Sequence, residues 1–233
     1  RIRPILSIAA CEACGGSRAD VIIPAMAIEL IHTYSLVHDD LPCMDDDRYR
    51  RGQETCHVKY GEAHAVLAGD ALLTYAFELL SRLPGRKRSM RMIGEISKAA
   101  GSLGMIGGQT VDKISENQSP TMPLLDYINV HKTGKLIMVS TLIGAVAAGA
   151  TQRQERAIIK YGEYLGFAFQ VVDDIIDGDG YLRFMSRSEA CQHAADLVER
   201  AKDEIRLRSL ESEVLENIAD FVFSRSKKGY KGK

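Results

Sequence analysis

Five of the nine residues from Asp39 to Asp47 are aspartates. Carboxylates this close together repel one another unless a cation lies between them, so the segment is a candidate metal site. Pro42 disfavours helical conformation at the residue before it, so a helix that reaches Asp39 should end there. A loop after that break could bring Asp45 back beside Asp39 and form a clamp of carboxylates. The alternative is a solvated acidic loop whose charge the following arginines neutralise.

A second acidic set has helical spacing. Four polar side chains share one helix face at positions i, i+3, i+4 and i+7: Gln170, Asp173, Asp174 and Asp177. Apolar residues cover another face of this segment, unlike the surroundings of a freely solvated acidic helix. Carboxylates one turn apart suit Mg²⁺, which usually takes one or two carboxylates together with phosphate oxygens and water. Two facing clusters therefore predict a polyphosphate held through several Mg²⁺ ions.

Basic residues occur beside both clusters. Arg50 and Arg51 follow the first cluster, and Lys132 and Thr133 precede a glycine that opens another helix. Arg3 lies near the start of the chain. A guanidinium can bind two phosphate oxygens at once, whereas an ammonium acts as a point charge. Each residue alone is most simply a surface charge, but together with two acidic clusters they indicate a phosphate site.

The segments that would position these residues have helical periodicity. An apolar stripe that includes Tyr34 and Val37 leads to the first acidic cluster. We predict helices over residues 21–38, 65–83, 90–105, 124–129, 135–148, 154–177, 188–208 and 211–223. Glycines and prolines mark the joints between helices, among them Gly107-Gly108. No convincing strand alternation is present, and the pattern predicts one all-α domain over residues 1–233.

Composition argues against several classes of function. The chain has 30 basic and 31 acidic residues, so no overall field favours nucleic acid or a membrane surface. The longest apolar run, residues 136–150, is shorter than the ~20 residues that span a bilayer, which predicts a buried core helix and no membrane insertion. Five scattered cysteines argue against a disulfide framework and for a reducing, cytoplasmic environment. Cys11 and Cys14 are more simply two helical thiols than a metal site.

Two segments carry a resemblance to a known family. Residues 38–52, HDDLPCMDDDRYRRG, resemble the first aspartate-rich motif of the trans-prenyltransferase (polyprenyl synthetase) family. Residues 166–177, GFAFQVVDDIID, resemble its second motif. Matches at residues 1–4, 67–70, 107–112 and 131–134 extend the resemblance over nearly the whole chain. It implies an isoprenoid-synthase-type helical bundle around a central apolar cavity, and a homodimer.

The resemblance also implies a reaction and roles for individual positions. The reaction is an Mg²⁺-dependent condensation of isopentenyl diphosphate with dimethylallyl or geranyl diphosphate. The expected metal ligands are Asp39, Asp40, Asp45, Asp173, Asp174 and Asp177. The residues expected at the allylic diphosphate are Arg50, Lys132, Thr133 and Gln170, and those expected at isopentenyl diphosphate are Arg3, His32 and Arg51. Direct catalytic roles are expected for Asp39, Asp45, Arg50, Lys132 and Asp173.

Product length is expected to depend on Tyr34 and Ser35. Tyr34 precedes Asp39 by five residues, or ~7.5 Å along a helix axis. Its ring could close the cavity after three isoprene units and yield farnesyl diphosphate, although it could also be only a core aromatic. A geranylgeranyl diphosphate synthase is the nearest alternative.

Two alternatives belong to other classes. A terpene cyclase would carry a second metal motif with Asn, Ser or Thr and Glu, and would need no isopentenyl site. A non-catalytic subunit of a heteromeric synthase would usually lack one aspartate motif, whereas both are intact here.

Two parts of the family pattern are absent. The family's first helix and a lysine before Arg1 are missing, so we expect a preceding segment. The Gly-Lys-Pro loop that follows the second motif is also missing, because Gly180 runs directly into Tyr181. We expect the natural protein to carry a further loop at that point.

Overall fold

The computed structural model describes residues 1–116, 118–210 and 212–227. Helices make up most of this part, which confirms the all-α prediction. They are α1 (Ile2–Ala13), α2 (Arg18–Asp39), α3 (Cys56–Tyr60), α4 (Glu62–Ser81), α5 (Arg86–Ala100), α6 (Met105–Ser115), α7 (Met122–Ile128), α8 (Lys135–Ala148), α9 (Gln152–Asp177), α10 (Arg187–Arg206) and α11 (Glu213–Ser224). A π-helix (Asn129–Gly134) connects α7 to α8, and 3₁₀ turns cover Gly180–Arg183 and Arg225–Lys227. Two short antiparallel strands, β1 (Tyr49–Arg50) and β2 (Gln53–Glu54), form a hairpin between α2 and α3.

Reciprocal side-chain caps determine where the long helices begin. Ser17, Thr151 and Ser186 each form a capping box with an acidic or amide residue three positions later, at the starts of α2, α9 and α10. Each box satisfies backbone N–H groups that have no partner within the helix. Gly178, in left-handed conformation, ends α9 directly after Asp177. The second acidic cluster therefore lies in the last turns of α9.

Helix α8 is the central element of the fold. It is buried from Leu136 to Ala147 except at Met138, and it packs against α1, α2, α5 and α9. One apolar cluster lies between α8, α9, α10 and α11, and the other lies between α8, α2, α4 and α5. The prediction of a buried core helix at residues 136–150 is thereby confirmed. Cys11 is buried in α1, as expected of a helical thiol.

The predicted helix over residues 90–105 is wrong at its end. Helix α5 stops at Ala100, and Met105 begins α6. The pair Gly107-Gly108 lies inside α6 and is not a joint. A Cβ atom at Gly108 would lie 2.2 Å from the backbone nitrogen of Lys132, so glycine here permits close contact between α6 and the π-helix. Tertiary packing has overridden the low helix propensity of glycine.

Two helices, α2 and α4, are long and apolar enough to cross a membrane by length and composition alone. Within the structure, 39% of the relevant stretch of α2 is buried and 22% of that of α4. Helix α2 contributes Ile28, Ile31 and Tyr34 to the core, whereas α4 leaves Leu67 and Tyr75 exposed. Both helices are similarly apolar, but α2 packs into the core, whereas α4 keeps exposed apolar side chains.

Candidate active site

The first acidic cluster folds back on itself at the end of α2. The backbone N–H of Asp45 donates to the carbonyl oxygen of Asp39 at 2.9 Å. Asp46 adopts a positive φ of 52°, and its N–H donates to the carbonyl oxygen of Leu41 at 3.1 Å. The break at Pro42 thus returns Asp45 to the side of Asp39, as the sequence predicts.

Each of two carboxylates in this cluster receives a donor from α6. The Nε2 atom of Gln109 donates to Oδ1 of Asp39 at 3.0 Å. The Nζ atom of Lys113 lies 2.8 Å from Oδ1 of Asp45. Helix α6 therefore supplies one opposite charge, from Lys113, and one neutral donor, from Gln109, to the cluster.

The hairpin after the cluster separates the two predicted arginines. Arg51 and Gly52 both have positive φ, at 54° and 78°, as a type I′ turn requires. Arg50 is half-buried, and its Nε donates to Oδ1 of Asp40 at 2.7 Å. Arg51 remains exposed at the turn. Arg50 therefore organises the cluster, and Arg51 is accessible to a ligand.

The carboxylates of the second acidic cluster have different hydrogen-bond partners. Oδ1 of Asp173 accepts a hydrogen bond at 2.7 Å from Nη2 of Arg225, which follows α11. Asp174 is buried and accepts from the Nε2 of Gln170 and from the backbone N–H of Tyr181, both at 3.1 Å. Asp177 is exposed. The shared helix face thus presents carboxylates in three different environments.

A cavity of about 650 Å³ lies between α2, α4, α6 and the π-helix. The structure brings seven of the predicted residues together in its wall: Arg3, His32, Tyr34, Ser35, Asp39, Lys132 and Thr133. Its lining does not include the other predicted residues, which are Asp40, Asp45, Arg50, Arg51, Gln170, Asp173, Asp174 and Asp177. Much of the remaining wall is apolar, including Leu36, Leu73, Met105 and Ile106. The cavity therefore combines charged groups with a surface suited to a hydrocarbon chain.

The π-helix positions Lys132 in this wall. Widened turns of this kind are frequent at functional sites. The Nζ atom of Lys132 donates to Oδ2 of Asp112, on α6, at 2.7 Å. Together with the contact at Gly108, this bond holds the π-helix against α6.

Burial lowers the pKa of two basic residues in the cavity wall, Arg3 and His32. Burial lowers the pKa of Arg3 to about 10, while Glu29 and Asp173 act in the opposite direction. The Nε atom of Arg3 is buried without a hydrogen-bond partner among the described residues. Burial, with smaller effects from Arg3 and Arg51, lowers the pKa of His32 to about 3, so its imidazole is neutral at pH 7. A buried cation with an unused donor beside a neutral imidazole is suited to bind an anion.

The aspartates fit a cation bound jointly with a phosphate. The described residues contain no group of three or more His, Cys, Asp or Glu side chains arranged around a common metal position. Burial raises the pKa of Asp39 to about 6. The nearby cations of the protein therefore do not fully offset the cost of burying its negative charge. Oxygen donors from Asp39 and from Asp45 beside it match Mg²⁺, which completes its shell with phosphate oxygens and water.

One face of α6 lines the cavity and was missed in the sequence. Its residues share helical spacing: Ile106, Gln109, Thr110, Lys113 and Ile114. The glycine pair at the start of this segment was interpreted as a joint, which hid the periodicity. Arg225 was also missed, and no local pattern links it to Asp173.

Comparisons with known proteins agree with this geometry. Residues 1–188 match the family model described as Polyprenyl synthetase. The chain is 40% identical to farnesyl diphosphate synthase of Escherichia coli (strain K12), over 97% of this chain and 85% of that protein. It is 39% identical to geranylgeranyl diphosphate synthase of Cyanophora paradoxa, over 97% and 83%. The structure superimposes on an FPP/GFPP synthase from Zymomonas mobilis with a TM-score of 0.91 and 34% identity, over 96% and 83% of the two chains.

Proposed function

Because this chain belongs to the polyprenyl synthetase family, we propose that it is a prenyltransferase that makes farnesyl diphosphate, acting as one domain. It joins isopentenyl diphosphate head to tail to dimethylallyl diphosphate and then to geranyl diphosphate. The observation that carries the proposal is the single cavity that combines Arg3, Asp39 and Lys132 with an apolar wall. Such a cavity accommodates both ends of a prenyl diphosphate.

The two substrates would bind at different parts of the charged end. Lys132, Thr133, Arg50 and Gln170 hold the allylic diphosphate. Arg3, Arg51 and the neutral imidazole of His32 hold isopentenyl diphosphate. The unused buried donor of Arg3 supports this assignment, because a diphosphate oxygen would satisfy it.

The reaction begins when the allylic C–O bond breaks and the diphosphate leaves with the electron pair. Asp39, Asp45 and Asp173 would hold Mg²⁺, with Asp40, Asp174 and Asp177 as further ligands or as orienting groups. The bound ions would supply positive charge at the leaving group. Lys132 and Arg50 add to that stabilisation. The apolar wall excludes water from the allylic cation.

The new bond then forms within the cavity. The double bond of isopentenyl diphosphate attacks the allylic cation, and the resulting tertiary cation loses a proton. The departed pyrophosphate accepts that proton, so no side-chain nucleophile is needed. The product is an allylic diphosphate five carbons longer, which can react again until the cavity is full.

Tyr34 is proposed to set the product length, together with its neighbour Ser35. Replacement of Tyr34 by alanine should shift the main product from C15 to C20, because it removes the ring from the cavity wall. The hydroxyl of Tyr34 has no hydrogen-bond partner among the described residues. Tyr34→Phe should therefore retain C15, and it serves as the control. Unchanged C15 output from Tyr34→Ala would contradict the role of this ring.

The similarity to a geranylgeranyl diphosphate synthase makes C20 the second candidate product. The deciding assay supplies Mg²⁺, labelled isopentenyl diphosphate and each allylic primer, and separates the dephosphorylated products by chain length. Main incorporation into C15 supports the proposal, and main incorporation into C20 supports the second candidate. Failure to incorporate label with any primer would overturn both.

We further propose a homodimer that works in the cytoplasm without membrane insertion. Helix α4 exposes apolar side chains, among them Leu67 and Tyr75, that a second copy could cover. Light scattering in detergent-free buffer should give about twice the chain mass. A monomer, or protein that stays in solution only with detergent, would contradict the proposal.

The natural protein is also proposed to carry a loop between Gly180 and Tyr181. The alignment with the Escherichia coli relative has 254 positions but includes 97% of 233 residues, about 226, so about 28 positions lack a counterpart here. A tryptic digest of the protein from its own organism should therefore lack the peptide of residues 161–183. Detection of that peptide would show that the two residues are adjacent.

A further inference from the structure

Lys113 makes three polar contacts at the edge of the cavity. Its Nζ lies 2.7 Å from the carbonyl oxygen of Met44, 2.8 Å from Oδ1 of Asp45 and 2.6 Å from Oε1 of Glu116. Lys113 directly follows Asp112, the last residue of the segment over residues 107–112, and has no role in the function proposed above. Its ammonium connects α6 to the folded-back loop of the first acidic cluster.

This ammonium lies where it can substitute for a metal ion. Asp45 is one of the carboxylates proposed to hold Mg²⁺, and its oxygen already has a cationic partner. Both carboxylates around Lys113 favour its charged form and raise its pKa. A cation that approaches Asp45 must therefore displace Lys113 or share the carboxylate with it.

Glu116 gives Lys113 a position to which it can retreat. Glu116 directly follows the last residue of α6, three residues after Lys113, and its side chain is more exposed than that of Asp45, 55% against 36%. Lys113 can release Asp45 while it keeps the Glu116 contact, so its charge remains paired throughout.

We propose that Lys113 is a positioning residue that acts as an exchangeable counter-cation for Asp45. In the metal-free protein it neutralises Asp45 and ties the loop to α6. When metal binds, Lys113 transfers to Glu116 and leaves Asp45 to the metal. This inference rests on the proposed function only for the assignment of Asp45 as a metal ligand.

The test measures metal affinity directly, without turnover. Mn²⁺ titrated into the full chain with one equivalent of inorganic pyrophosphate, which supplies the phosphate oxygens, is followed by electron paramagnetic resonance, which reports free and protein-bound ion. Lys113→Met should tighten Mn²⁺ binding about 3- to 5-fold, the effect expected from loss of a competing, partly exposed ion pair. Glu116→Gln should weaken binding by a similar factor, because Lys113 then has only Asp45 as a charged partner.

Controls separate exchange from a purely structural role. Lys160→Met removes a lysine with the same i,i+3 glutamate contact on α9, at 2.7 Å, and should leave Mn²⁺ affinity unchanged. Lys113→Gln removes the charge but can keep a hydrogen bond to Met44. It should tighten Mn²⁺ binding as Lys113→Met does, and it replaces that variant in the test if Lys113→Met folds poorly. If Lys113 only held the loop in place, both Lys113 variants would bind Mn²⁺ more weakly.

The outcomes also distinguish this inference from the proposed function. Unchanged or weaker Mn²⁺ affinity in both Lys113 variants, or no Mn²⁺ binding by the unmodified protein, would overturn the counter-cation role. The product assay on the unmodified protein decides the prenyltransferase proposal independently. Tighter Mn²⁺ binding in the Lys113 variants together with weaker Mn²⁺ binding in Glu116→Gln would support exchange, even if the product assay found another product.

Discussion

Asp39→Asn should lower kcat/KM by about 10²–10³-fold, comparable to the loss of one electrostatic group that stabilises a transition state. Asp39 faces the cavity at the end of α2, beside the folded-back Asp45. Asparagine keeps the size of the side chain and can still accept the hydrogen bond from Gln109. It removes the anionic oxygen that is proposed to hold a cation at the leaving diphosphate. The measurement is steady-state kinetics with saturating Mg²⁺ and each allylic primer.

The control for this variant is Asp46→Asn in the same loop. Asp46 is exposed and adopts a positive φ, a conformation that asparagine tolerates well. Its activity should stay within about 3-fold of the unmodified protein, as for an ordinary surface substitution. Equal losses in both variants would indicate that only overall acidity matters. A lower melting temperature for Asp39→Asn in metal-free buffer would instead attribute its loss to folding.

Lys132→Met should lower kcat by about 10²-fold, because an ammonium in the proposed role at the leaving diphosphate would act mainly in the transition state. The π-helix holds this side chain in the cavity wall, where it pairs with Asp112. Methionine keeps most of the aliphatic stem and removes the charge. Comparison of kcat with KM for the allylic primer separates transition-state stabilisation from binding.

Lys135→Met is the matched control for Lys132→Met. Lys135 begins α8 one residue beyond the π-helix and lines a different cavity, beside Tyr164 and Phe167. Its replacement should leave kcat within about 3-fold, since it does not face the reacting groups. A change only in KM for Lys132→Met would show that Lys132 binds the substrate without acting on the ionisation step.

Helical spacing in the sequence determined much of the architecture. The predicted helix over residues 135–148 has the bounds of α8, and its mostly apolar sequence, broken after Lys135 only by Ser140, Thr141 and Gly144, matches its burial. The spacing that ends at Asp177 likewise identified α9, since side chains three and four residues apart share a face. At the joint near Gly107 the same reasoning failed. Glycine lowers helix propensity locally, but the contact between Gly108 and Lys132 comes from a distant segment.

In the candidate site, too, some features follow from the sequence and others only from the tertiary structure. The sequence by itself determined that two carboxylate clusters exist and that Pro42 bends the first one, because proline geometry and helical periodicity act over a few residues. Only the tertiary structure decided which group faces each carboxylate: Lys113 for Asp45 and Arg225 for Asp173. These pairs are separated by many residues, and no local period connects them. Lys113 reaches from α6 to the loop after α2, and the 3₁₀ turn that carries Arg225 packs against α9. These contacts depend on how distant segments pack, so the sequence alone does not reveal them.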